Sequence, residues 1–195
     1  MSMKYKIFIA IIFLSSVQIK TAVAQDIKKA EEVCYNPNAK GDTLKRSIKS
    51  AAVGKIDAAN ITINYHSPGL RGRTVWGGLV PYNEVWVTGA HNATSIEVDK
   101  DFIVAGTLIS KGKYALFTIP GKKEWTIIIN KNWNQHLTDD YLKKEDIVRI
   151  KVKPIKQKKV LERLQYFIEN GKNGNGKIAI AWELLRLEFE ISIKK

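Results

Sequence analysis

From residue 61 to the C-terminus, apolar residues come in short bursts: ITINY (61–65), TSIEV (94–98), FIV (102–104), YALFTI (114–119), EWTIII (124–129), IVRIKV (147–152), KIAIAW (177–182) and LEFEISI (187–193). β-Branched and aromatic residues dominate them, and many alternate apolar with polar, the period of a half-buried strand. Turn-forming clusters divide them. Pro120-Gly121-Lys122-Lys123 reads as a tight antiparallel connection between two long neighbours, Ala105-Gly106-Thr107 as a smaller one, and the glycine- and asparagine-rich run 170–176 as a longer hairpin loop. VLERLQYFIEN (160–170) fits both periods: Val160, Leu161, Leu164, Phe167 and Ile168 have helical spacing, while Leu164, Tyr166 and Ile168 share one face of a strand. Its neighbours are strands, and it is placed with them. The pattern predicts an all-β chain, an antiparallel β-sandwich of about eight to ten short strands.

The two ends of the chain set its destination and its domain count. Lys4 and Lys6 precede an apolar run over 7–17, and Ala22-Val23-Ala24 supplies the small residues of a cleavage site, the layout of a secretory signal peptide over 1–24. The run is shorter than the roughly 18–20 residues that span a bilayer, so no transmembrane segment is expected after cleavage. Residues 25–45 are charged and turn-rich with little periodicity, a loosely ordered leader. Residues 46–195 then form one domain, large enough to bury its own core. Cys34 is the only cysteine and has no partner for an internal disulfide, so stability must come from packing. The expected location is the periplasm, the extracellular space or the cell surface.

The formal charge of +13 falls to +10 once Lys4, Lys6 and Lys20 leave with the signal peptide. Such a surplus favours anionic partners. The lysines are scattered rather than clustered, and no arginine-rich block interleaved with aromatics is present, so nucleic acid is not an expected partner. An envelope polysaccharide, a peptide or another anionic ligand fits an exported basic protein better.

One stretch, SPGLRGRTVWGGLVPYNEVWVTGAHNAT (67–94), mixes glycines, prolines, aromatics, arginines and a histidine in a way no core strand needs. Trp76, Tyr82 and Trp86 offer flat faces, and Arg71, Arg73, His91, Asn92 and Thr94 offer donors, the set that holds sugars, peptides or carboxylates. The competing reading has the tryptophans plugging the end of the sandwich and the arginines capping loop carbonyls. A metal site would draw on His66, His91, Glu84 and Glu97, although no two of them have a metal-ligand spacing. Catalysis would centre on His91 beside Glu84 or Glu97, and no nucleophile, base and orienting group is legible together. No cofactor is expected. A second stretch, Asn130-Lys131-Asn132-Trp133-Asn134-Gln135-His136, is rich in amides and carries an indole, and matters if it folds beside Trp86 and Arg73.

Several of these motifs occur together in one family. Ser-Pro-x-x-Arg-Gly-Arg (67–73), Trp-Gly-Gly-Leu-Val-Pro-Tyr (76–82), Val85-Trp86, Thr-Gly-Ala (88–90), Ala93-Thr94, Gly-Lys-Tyr-x-Leu-Phe-Thr-Ile-Pro-Gly (112–121), Glu-Trp-Thr (124–126) and Val-Lys-Pro (152–154) resemble the secreted bacterial family called domain of unknown function 2911. The resemblance covers about 47–193 and implies a compact, mainly β, exported domain. It brings no activity with it. Val87 stands where the family commonly has Arg, and His91-Asn92 where it has Asn and an acidic residue, so a family site built on those groups would be altered here. The sequence thus predicts an exported envelope module that binds a polar or anionic ligand or serves a structural role, with a metal-assisted, hydrolase-like enzyme on His66, His91 and a carboxylate as the alternative.

Overall fold

A computed structural model describes residues 47–194. The segments predicted as a signal peptide (1–24) and a loosely ordered leader (25–45), and with them Cys34, lie outside these residues. Ten strands run in chain order: β1 (Ile48–Ile56), β2 (Ala59–Ser67), β3 (Ser95–Val98), β4 (Phe102–Val104), β5 (Thr107–Ile109), β6 (Gly112–Ile119), β7 (Trp125–Asn130), β8 (Asp146–Val152), β9 (Ile155–Asn170) and β10 (Asn175–Ile193). They form a six-stranded sheet in the order β1-β2-β3-β6-β7-β8 and a four-stranded sheet in the order β5-β4-β10-β9. Every strand pairing is antiparallel. The protein is the β-sandwich its pattern calls for. No helix among the described residues is long and apolar enough to cross a membrane.

Alternation sets the faces. In β2, Ile61, Ile63 and Tyr65 are buried in the core, while Asn60 and Asn64 are exposed and Thr62 and His66 half-buried. β7 reads WTIIIN and is buried along its whole length. Its Ile127 and Ile129 belong to the core between the sheets, and Ile128 joins Val87, Ala93, Ala115 and Phe117 in a second, smaller core. That second core lies on the outer face of the six-stranded sheet, because Ala115 and Phe117 pair with Asn130 and Ile128 across β6 and β7. A central strand covered on both faces needs a continuous apolar run, and the cover here is irregular chain.

The tight links form as their sequences predict. Val104 pairs with Thr107 around Ala105 and Gly106, both at positive φ, as a two-residue hairpin requires. β9 is a strand throughout and buries Leu164 and Tyr166. Two features differ from the sequence reading. β1, IKSAAVGKI, has small residues at its centre between Lys49 and Lys55 and carries little hydrophobic signal, yet it forms the sheet edge. Gly54 lets it do so, since a Cβ there would sit 2.9 Å from the side chain of Ile168 on β9. KIAIAW and LEFEISI are halves of one 19-residue strand. Ile178, Ile180 and Trp182 face the core at even positions, and Leu187, Phe189, Ile191 and Ile193 at odd ones. The register shifts on both sides of Glu183, whose φ is +54°, so a bulge reverses the parity without ending the strand.

Candidate functional site

The segment 68–94 leaves β2, crosses one end of the sandwich and returns to β3. Its start is fastened to β9: the Leu70 amide donates to the Glu162 carbonyl at 2.8 Å, and the Arg71 amide to the Glu162 carboxylate at 2.9 Å. Arg73 folds back on the same turn, donating from Nη2 to the Gly69 carbonyl at 2.8 Å and from Nε to the Leu70 carbonyl at 3.1 Å. These are a loop's own carbonyls, and they occupy the guanidinium.

The aromatic residues go inward. Trp76 meets Trp125 edge-on at 4.9 Å between ring centroids and Trp182 at 5.7 Å, and Trp86 stacks on Trp182 at 6.0 Å. Trp125 and Trp182 are each 1% exposed, so this cluster is the plugged end of the core. Tyr82 packs its ring against Gly77, whose φ of +80° and missing Cβ make room for it. The Trp86 indole donates to the Gly89 carbonyl at 3.2 Å.

Between Trp86 and Thr94 the chain turns sharply. Thr88 has a φ of +52°, a costly conformation for a β-branched residue. Its neighbours hold it there. The Thr88 and Thr118 hydroxyls lie 3.0 Å apart, and the Thr88 carbonyl accepts from Thr94 Oγ1 at 3.1 Å and from Tyr166 Oη at 2.7 Å. Burial holds the Tyr166 phenol well above its ordinary pKa, so it stays a proton donor. Thr94 is thus committed to the turn.

That turn carries His91 and Asn92 over the outer face of the six-stranded sheet. There they meet the second stretch singled out in the sequence: the Ala93 amide donates to the Gln135 carbonyl at 3.0 Å, and the Leu137 amide to the His91 carbonyl at 2.7 Å. The 131–145 loop is pinned from below. Asn130 Nδ2 donates to Asp146 Oδ1 at 2.8 Å, and Tyr141 Oη to Asp146 Oδ2 at 2.8 Å, while Arg149 Nε reaches the same carboxylate oxygen at 2.7 Å. Burial and the Asp146 carboxylate push the Tyr141 phenol up to about 12.

Where the two loops meet the exposed strands lies an open cleft of about 370 Å³. Lys49 and His66 sit directly opposite each other on β1 and β2 and both line it, as does Lys113 of β6. Asn64, Asn92 and Asn134 bring amides, and Trp133 brings a ring over which Lys113 Nζ sits at 4.0 Å. His66 touches His91 edge-on, 5.1 Å between ring centroids. Burial lowers the His66 pKa below its ordinary 6.5, and the nearby His91 and Lys49 lower it further. Among the described residues no aspartate or glutamate lines the cleft, and Glu97 stands opposite Lys113 just beyond it.

The structure therefore brings His66, His91 and Asn92 together with the 133–135 loop, and leaves Arg71, Arg73, Trp76, Tyr82 and Trp86 outside the cleft. Lys49, Asn64 and Lys113, which sequence reasoning did not single out, had only their outward positions on strands to mark them. Glu84 and Glu97 are exposed, and among the described residues no three His, Cys, Asp or Glu side chains are grouped to hold a metal ion. A larger cavity of about 540 Å³ lies among the β4–β5 turn, β8 and β10, with a mixed lining in which Lys177 and Glu188 already pair at 3.2 Å. Convergent polar groups, rather than volume, mark the smaller one as the candidate site.

The family model described as "Protein of unknown function (DUF2911)" matches residues 47–191. No curated protein and no solved structure matches the chain.

Proposed function

The chain belongs to the DUF2911 family of unknown function, and on that footing we propose that it is an exported β-sandwich module that binds a polar, anionic ligand in the cleft over β1, β2, β3 and β6. One observation carries the reading: Lys49, His66 and Lys113 converge on a concave surface lined by no carboxylate among the described residues, with Glu97 beside Lys113 at its edge. Like charges repel, and a cation beside a histidine lowers the imidazole's pKa, so these groups gain when an anion sits between them. The surplus of basic residues over the whole chain would draw such a ligand in. Among the candidates read from the sequence, His66 and Asn92 line this site and His91 touches it through the His66 ring. Arg71, Arg73, Trp76, Tyr82, Trp86 and Thr94 serve the loop and the core that hold it.

Titration of the exported protein with acetate and with inorganic phosphate, followed by amide NMR shifts, tests this. Shifts confined to the cleft and abolished by Lys49→Ala with Lys113→Ala support it; shifts spread over the whole basic surface and indifferent to those changes would sink it. Export has its own test, since mass spectrometry of the protein recovered outside the cytoplasm should find Gln25 at the N-terminus.

The contact between His66 and His91 also favours a second reading, metal-assisted hydrolysis. It needs a third ligand that neither Glu84 nor Glu97 supplies in a cluster. Stoichiometric metal in the purified protein, removed by a chelator with loss of thermal stability, would put this reading first.

A further inference from the structure

We infer that the ligand of this cleft is a sugar carrying an acid group, a refinement that rests on the anion-binding reading above. Charge alone asks only for an anion. Three other groups in the cleft ask for hydroxyls and a ring.

Gln135 is the first. It is 6% exposed, and its Nε2 donates to the Asn132 carbonyl at 2.7 Å. That bond fixes which way the amide points, because the flipped amide would set oxygen against oxygen. Its Oε1 is then a buried acceptor with no hydrogen-bond partner among the described residues, in the wall of the cleft, where a small movement of the loop would bring a ligand donor to it. A buried acceptor without a donor is costly, and most such groups in folded proteins have a partner. A simple carboxylate can neutralise Lys49 and Lys113, yet it has no proton to offer Gln135. A hydroxyl has one.

Asn64, Asn92 and Asn134 are the second group. Each amide both donates and accepts, which matches the two-way hydrogen bonding of a sugar hydroxyl and exceeds what an anion alone can use. Trp133 is the third, with 38% of its surface exposed at the cleft. Its ring is held by the Lys113 ammonium, and an exposed indole is a platform for the apolar face of a pyranose. The cleft's volume of about 370 Å³ falls in the range of about 300–1,000 Å³ usual for small-molecule sites. An amino acid fits less well, since its ammonium would face two lysines and a histidine.

Calorimetric titration of the exported protein at pH 6 with glucuronate, glucose 6-phosphate, glucose and acetate separates the possibilities. The expected result is that at least one charged sugar binds about tenfold or more tightly than both glucose and acetate, and that Trp133→Ala lowers the ratio of charged-sugar to acetate affinity by most of that factor. Lys49 and Trp133 are exposed, so their alanine variants should keep the fold. Equal binding of acetate and the charged sugars, lost in Lys49→Ala, would overturn the sugar while keeping the anion site. No binding of any probe, or binding that ignores Lys49→Ala, would overturn both.

Discussion

The segment 68–94 ends in opposite conditions at its two extremes. Near Trp76 and Trp86, rings interlock with Trp125 and Trp182, and Arg73 satisfies two carbonyls of its own turn. Near His91 and Asn92, the chain rests on exposed strands and leaves a cationic hollow with a buried acceptor unsatisfied. Both ends mix aromatics with donors, and in a list of residue types they look alike. They differ in what packing leaves accessible: the Trp76 indole N–H, unpartnered among the described residues, is shut inside the ring cluster, whereas the lysines, histidine and amides of the other end face an open cleft.

That contrast can be broken at its packed end first. Trp182→Ala should leave a void among the tryptophans and cost about 3–5 kcal/mol, a fall in Tm of roughly 6–20 °C for a domain of this size. Anion affinity of the molecules that remain folded should not change. A parallel loss of affinity would mean that the two ends act as one site. Arg73→Ala, which strips the Gly69 and Leu70 carbonyls of their donor, should cost about 1–3 kcal/mol by denaturant unfolding and again spare binding. A binding defect larger than the stability loss would return Arg73 to the ligand.

At the open end the balance reverses. Lys49→Glu should move stability by no more than about 0.5 kcal/mol, as exposed substitutions usually do, and weaken anion binding at least about tenfold. It also places a carboxylate opposite His66, so the His66 pKa should rise in an NMR titration.

The smallest effect is in pH. Because the folded pKa of His66 is lowered, the unfolded chain binds more protons than the native one just below pH 6.5, and stability should decline as pH falls through that window and rise again with pH. An anion in the cleft favours the protonated ring, so its affinity should grow as pH falls over the same range. His66→Gln should flatten both slopes. Slopes that persist in that variant would assign them to another group.

Much of the architecture was written locally. Strand periodicity located β2 to β8 and the two hairpins at 105–106 and 120–123, because side chains on a pleated strand must alternate whatever the partner. The weak places were β1, whose edge position asks for little apolar area, and β10, whose bulge at Glu183 reverses parity and makes one strand look like two. For the candidate site, the sequence singled out two stretches that the structure brings together, without their arrangement. The 130–136 stretch packs on His91 and Asn92, while Trp86 and Arg73 face elsewhere.

By itself, then, the sequence determined the β-sandwich, its alternating faces and the turn-rich segment that crosses one end, since these follow from backbone sterics and from the burial of alternate residues. Only the tertiary structure decided which polar groups remain available. Lys49, His66, Lys113 and Gln135 lie on separate elements with no shared motif, and long-range pairing of β1 with β2 and of β3 with β6, together with the loops laid across them, is what brings their charges and hydrogen-bonding atoms to one hollow.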